Sequence, residues 1–316
     1  MYSKGNSMNV LYDKPLFKLS VNTFGTKHII NVNGVSIIRD LDSDGQSEST
    51  FPINHLMRSG RNTIETYILP DNPGEAINKH SKITLNLMVA SNSNPDIKYN
   101  ITNLSFESAL LEASSPISGS SNSGKLDSNN EFKQSENGDV VIHDISIKKV
   151  AEYPGALKIT RIIDIKSSLP LWNFFSSDDL PDYDSLNDEE YYKELETLLH
   201  EYMKIQHAIK TNDIESVVAL FKERNSELDL AFYQQPGTYE AKIKESLKEA
   251  ATDKGLELVE LRKDNVNFTV EDNRKLASLT RNGFKAAISL NFKEGNGSQR
   301  YPLTFRYQNN KWILSR

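Results

Sequence analysis

Apolar and polar positions alternate with a period of two through the first half of the chain. Near residue 188 the alternation gives way to a helical period. Residues 16–21 (LFKLSV), 28–33 (HIINVN), 62–69, 82–90, 97–107, 139–147 and 156–165 put every second side chain on one face, as a half-buried strand does. Turn-forming Gly, Pro, Asn and Asp separate them. Asn33-Gly34, between HIINV and VSIIR, accepts the positive φ values of a type I′ hairpin turn. Many short strands with almost no helical period predict an antiparallel β-sandwich over residues 1–168. Residues 114–130 (SSPISGSSNSGKLDSNN) offer too little apolar surface to offset the entropy of ordering, which predicts a flexible loop within that sandwich.

From residue 188 the apolar positions Tyr191, Leu195, Leu198, Leu199, Tyr202, Ile205 and Ile209 form one helical face, opened by acidic residues that suit a helix start. Asn212 or Asp213 caps a second helix carrying Ile214, Val217, Leu220 and Phe221. Thr238 caps a third, with Ile243, Leu247, Ala250 and Ala251 inward and Gly255 as its left-handed C-terminal residue. Beyond Gly255 the period returns to two. Residues 256–261, 265–270, 275–280, 284–292, 301–307 and 311–315 read as strands, with Gly295-Asn296-Gly297 and Asn309-Asn310 as tight turns. The predicted class is α+β in two domains: a sandwich, a linker over 169–187, and a domain over 188–316 with helices first and a curved antiparallel sheet after.

Two resemblances bear on these halves. FPINHLMRSGRNTIETYIL (51–69) resembles the phrase that brings the chain of galactose-binding-like sandwiches through a tight Gly turn into a central strand. AIKTNDIESVVALF (208–221) and the closing FRYQNNKWILSR (305–316) resemble the NTF2-like fold, with Asn310 where that family carries Gly. The second resemblance implies a cone of helices and sheet. Enzymes of that family place Asp, His, Tyr and Arg inside the cone.

Charge narrows the partners. The chain has 37 Lys and Arg against 43 Asp and Glu, a formal net charge of -6, which argues against a nucleic-acid binder and for a basic protein partner. It has no cysteine, so neither disulfides nor thiolate metal sites are available. The start, MYSKGNSMNVLYDKPLF, lacks the apolar core of a signal peptide, and no window is apolar enough for a membrane span. The expectation is a soluble, cytoplasmic protein.

Catalytic signals are weak. Asp40, Asp42, Asp44 and Gly45 match the opening of a calcium loop, but Phe51 stands where the closing Glu belongs and strands flank the run. An acidic turn is the preferred reading. Histidines 28, 55, 80, 143, 200 and 207 are dispersed, and His200 and His207 lie about 10 Å apart along one helix. Tyr202 and His207 could face a pocket, though a core tyrosine and a surface histidine are the simpler reading. No glycine-rich phosphate loop or Gly-x-Ser-x-Gly elbow occurs. No catalytic residue, metal or cofactor is expected.

Residues 167–190 (SSLPLWNFFSSDDLPDYDSLNDEE) combine aromatics with carboxylates and hold no Lys or Arg. Trp172, Phe174, Phe175 and Tyr183 could serve as desolvated anchors, and Asp178, Asp179, Asp182 and Asp184 as steering charges, for a partner with a basic surface. As a whole the chain resembles the two-domain immunity proteins paired with type VI secretion effectors, including Rhs-type toxins. That resemblance implies stoichiometric binding that covers a toxin's active cleft. The alternatives are an NTF2-like isomerase, dehydratase or hydrolase acting on a small hydrophobic ligand, and a carbohydrate-binding accessory protein.

Overall fold

The computed structural model describes residues 14–41, 45–92, 98–111, 117–118, 124–126, 132–134, 140–182, 185–281, 285–295 and 297–316. The chain is mixed α+β with antiparallel sheets, and it divides into two compact units, Met1–Leu171 and Trp172–Arg316.

The first unit is built from strands. They are β1 (Pro15–Phe24), β2 (Lys27–Val32), β3 (Val35–Asp40), β4 (Gln46–Pro52), β5 (Gly60–Leu69), β6 (Lys82–Ser91), β7 (Lys98–Glu107), β8 (Ile117–Ser118), β9 (Gly124–Leu126), β10 (Phe132–Gln134), β11 (Val140–Lys149) and β12 (Leu157–Ile165). One sheet has the order β4-β1-β6-β7-β8, the other β10-β9-β11-β12-β5-β2-β3. Leu19, Leu85, Leu87 and Leu104 of the first sheet and Ile64 and Ile159 of the second line one small void, so the two sheets face each other across a shared core. The predicted hairpin joins β2 to β3, with φ of 52° at Asn33 and 72° at Gly34.

Three details depart from the pattern. Strand β4 carries the polar sequence QSESTFP with no alternation; as an edge strand paired only to β1 it needs no apolar face. Strands β3 and β4 belong to different sheets, so the two strands that flank the acidic run are not paired with each other. Asp42 and Asp44 lie outside the described residues. Within the expected loop 114–130, β8 pairs with β7 and β9 pairs with β10 and β11, while the rest of that run lies outside the described residues.

The 51–69 phrase works through its asparagines. Asn54 is fully buried; its Oδ1 accepts the Phe17 N–H at 2.6 Å and its Nδ2 donates to the Pro15 carbonyl at 2.7 Å, tying the turn to β1. Asn62, also fully buried, accepts from Arg58 N at 3.0 Å and donates to Arg58 O at 2.8 Å, closing the turn in which Gly60 has φ 91°. These contacts satisfy backbone groups that a buried turn would otherwise leave unpaired.

The second unit opens on α1 (Asp188–Thr211). Asn187 and Glu190 form a reciprocal cap at its start, and Asn212 ends it at φ 55°. The second helix is shorter than its pattern predicts. It runs as α2 (Ile214–Val218), passes through a 3-10 turn over Ala219–Phe221, and continues as α3 (Lys222–Ala231). Helix α3 escaped prediction because its inward face carries Asn225, Glu227 and Asp229, which hide the apolar period. Helix α4 (Thr238–Thr252) is capped from a distance rather than by Thr238. The Asp229 carboxylate accepts from Gly237 N at 2.6 Å and Tyr239 N at 3.0 Å. Gly255 is not left-handed; its N–H goes to Asp253 Oδ1 at 2.7 Å.

The remaining strands are β13 (Leu256–Leu258), β14 (Asn267–Val270), β15 (Leu276–Arg281), β16 (Lys285–Ala286), β17 (Ile288–Phe292), β18 (Ser298–Tyr301), β19 (Phe305–Gln308) and β20 (Lys311–Leu314). They form one sheet in the order β13-β17-β18 and another in the order β14-β15-β19-β20, with β16 beside β15. The predicted run 284–292 breaks into β16 and β17, and 301–307 into the end of β18 and β19. Asn309 (φ 52°) and Asn310 (φ 59°) make the last turn, since asparagine enters the left-handed region more easily than most residues. Helix α1 lies against β14 and β15, and its inward residues join Phe221, Phe268, Leu279 and Phe305 in one core.

Candidate functional site

The aromatic and acidic stretch is not a free linker. From Trp172 onward it is laid onto the second unit by its own side chains and backbone. Trp172 (1% exposed) precedes a 3-10 turn over Asn173–Ser176 and Phe174 (0% exposed) lies within it; both rings are buried, and Leu180 joins the core. The Arg316 guanidinium lies 4.6 Å from the Phe174 ring centre and 5.9 Å from that of Trp172. Backbone bonds continue the attachment, Asp178 N to Tyr307 O at 3.1 Å and Leu180 N to Arg274 O at 2.8 Å. Arg274 also gives Nε and Nη2 to Leu180 O.

This corrects the assignment of Trp172 and Phe174 as anchors for a partner. A ring already desolvated inside its own unit has no apolar surface left to bury elsewhere. Phe175 is half-buried and stacks on Phe174 with ring centres 4.1 Å apart. The carboxylates face the other way. Asp178, Asp179 and Asp182 are exposed, as are Asp188, Glu189 and Glu190 at the start of α1. Lys275 holds Asp179 at 2.9 Å and keeps its carboxyl below the usual range, chiefly through that hydrogen bond. Tyr183 and Asp184 lie outside the described residues.

Asp178 connects this strip to a groove. Its Oδ2 accepts the Asn309 N–H at 3.2 Å, steadying the turn between β19 and β20. Asn310, Lys311 and Trp312 form one wall of a groove of about 630 Å³, and Glu196, Thr197, His200 and Glu201 of α1 form the other. Trp312 Nε1 donates to Thr197 Oγ1 at 3.0 Å across the floor. Lys204 is drawn to Glu201 at 2.7 Å, and Lys263 is paired with Glu196 and lies over the Tyr192 ring at 4.6 Å. Sequence reasoning missed this groove. The signal was the exposed stripe Glu196, His200 and Lys204 at i, i+4 spacing, but nothing in the chain said that β20 would stand beside it.

Between α1 and the sheet, Tyr202 is fully buried. Its hydroxyl donates to Leu303 O at 2.5 Å and accepts from Leu279 N at 3.1 Å, while its ring packs on Phe305 with centres 5.1 Å apart. Burial pushes its phenol up. His207 is exposed. Tyr202 is a core residue, and the structure does not bring these two together.

A second polar assembly lies under the strip. Glu227 accepts Asn173 N at 2.7 Å and Arg316 Nη1 at 2.5 Å, and Arg306 grips Glu223 through Nε at 2.6 Å and Nη2 at 2.7 Å. No group of His, Cys, Asp and Glu among the described residues is arranged to hold a metal ion. No helix among them is long and apolar enough to cross a membrane.

Comparison with protein-family models, with curated proteins and with solved structures finds no match to this chain.

Proposed function

We propose that the protein is a non-enzymatic binding protein, an immunity protein that neutralises a cognate toxin of the type VI effector class by stoichiometric binding. The observation that carries this reading is the division of labour in the 172–190 stretch. Aromatics hold the backbone from beneath, Asp178, Asp179, Asp182, Asp188, Glu189 and Glu190 stand exposed, and Asp178 is bonded to the turn that borders an open groove. An acidic surface fixed in advance loses little entropy on binding and steers a basic partner by its field. The order of helices before strands supports reading the second unit as an NTF2-like cone, and the facing sheets support reading the first as a β-sandwich. Tyr202 is packed in the core with its hydroxyl taken up by the Leu303 carbonyl and the Leu279 N–H, which supports binding over turnover.

The test is capture from the native host followed by co-expression with the captured toxin domain. A single basic domain is expected, with growth protected by the wild-type chain. Asp182→Lys with Glu189→Lys should slow association on the order of tenfold at low salt and leave less of that difference at high salt. Capture of no toxin, together with no protection, would falsify the reading.

A further inference from the structure

The polar groups around Arg316 are out of balance. Among the described residues, Arg224 Nε, Asn225 Nδ2, Arg316 Nε and Arg316 Nη2 are buried with no hydrogen-bond partner. All four are donors, and the buried hydroxyls of Thr304 and Ser315, next to Arg316 and also without a partner, can donate or accept. They belong to one neighbourhood: Arg224 Nη1 donates to Asn225 Oδ1 at 3.0 Å, and Arg316 is the charged group whose field acts on Arg224. The carboxylates nearby are already engaged. Glu223 is held by two nitrogens of Arg306, Glu227 serves Arg316 Nη1 and Asn173 N, and Asp229 caps α4. Arg224 has no carboxylate in any ion pair among the described residues. Burial, and then the like charge of Arg316, hold its guanidinium down to about 10.

Buried donors are rarely left unpaired in a native protein, and four together, three of them guanidinium nitrogens, need an acceptor. An oxyanion presents acceptors alone and also separates the two like charges. We propose that Arg224, Asn225 and Arg316 enclose a small free oxyanion, phosphate or sulfate, as a structural ion of the second unit. The donors are shut off from solvent, so the ion is a free one and not a phosphate carried on a larger molecule. Its binding is linked to folding.

The experiment is thermal unfolding of the full chain in graded phosphate, and separately in sulfate, with chloride balancing the ionic strength. Both salts stabilise most proteins by exclusion from their surfaces, so the decisive quantity is the difference between wild type and Arg224→Met. The wild-type Tm should climb with the logarithm of phosphate concentration more steeply than that of the variant. Arg224→Lys, which keeps the charge and removes Nε, should follow the variant. A crystal grown in phosphate should hold tetrahedral density among the three side chains. Parallel phosphate responses in wild type and both variants, or density for water alone, would overturn the proposal. If Arg224→Met fails to fold, the Lys variant and the crystal decide.

Discussion

Glu227 and Arg316 form a buried ion pair, 9% and 7% exposed in their side chains, with Nη1 and Oε2 2.5 Å apart. The carboxylate's other oxygen holds the N–H of Asn173, so α3, the chain's last residue and the aromatic turn meet at one group. A buried pair is more costly to break than to replace. Glu227→Gln should therefore destabilise the second unit by about 3–5 kcal/mol, because Arg316 stays buried without its counter-charge. Glu227→Leu with Arg316→Met should cost less than the two single changes summed. Chemical denaturation of the four proteins gives the coupling, and simple additivity would show that the pair acts independently.

Tyr202 offers a second test. Tyr202→Phe leaves the Leu303 carbonyl and the Leu279 N–H without their partner, a loss of about 1–3 kcal/mol. Burial raises its phenol, so above pH 10 the unfolded chain gives up a proton that the folded chain keeps. Stability is fully present below that value and is lost as the pH rises. The Phe variant should show a shallower alkaline decline, measured by unfolding at a series of pH values.

The first unit carries a titration of the opposite sense. His28 is 2% exposed, and its Nδ1–H donates to the Thr26 carbonyl at 3.1 Å. Burial depresses its pKa, against the pull of that bond and of Asp40 opposite it in the β2–β3 register. As the pH falls below the unfolded value of 6.5, the unfolded chain binds a proton that the folded chain refuses. Stability is therefore present above that value and declines on acidification, by at most about 1.4 kcal/mol per pH unit for one proton. His28→Gln should flatten the profile between pH 7 and 5; an unchanged slope would assign it to other groups.

Two glycines with nearly equal φ separate strain from collision. Gly74 (φ +89°) has open space where a Cβ would go, whereas at Gly155 (φ +92°) a Cβ would lie 2.3 Å from the Glu75 carbonyl oxygen. Alanine at either position meets backbone strain of about 1–3 kcal/mol. Gly155→Ala should lose more than Gly74→Ala by upwards of about 1 kcal/mol, and equal losses would mean that the backbone yields there.

The strands of the first unit and the length of α1 were legible in the sequence because one face of each is apolar and the other polar, and a fixed period records that. Asn33-Gly34 and Asn309-Asn310 were legible because few residues accept positive φ. Strand β4 and helix α3 were not, since β4 buries no face and α3 turns Asn225, Glu227 and Asp229 inward. The stretch around Trp172 and Asp178 was identified by composition, but its orientation was not: the same aromatics and carboxylates could have faced a partner or their own unit. Local periodicity depends on nearest neighbours along the chain and is therefore written in it. Whether Phe174 meets Arg316, or Asp178 the turn beside Trp312, depends on groups more than a hundred residues apart, and only the folded chain brings them within reach.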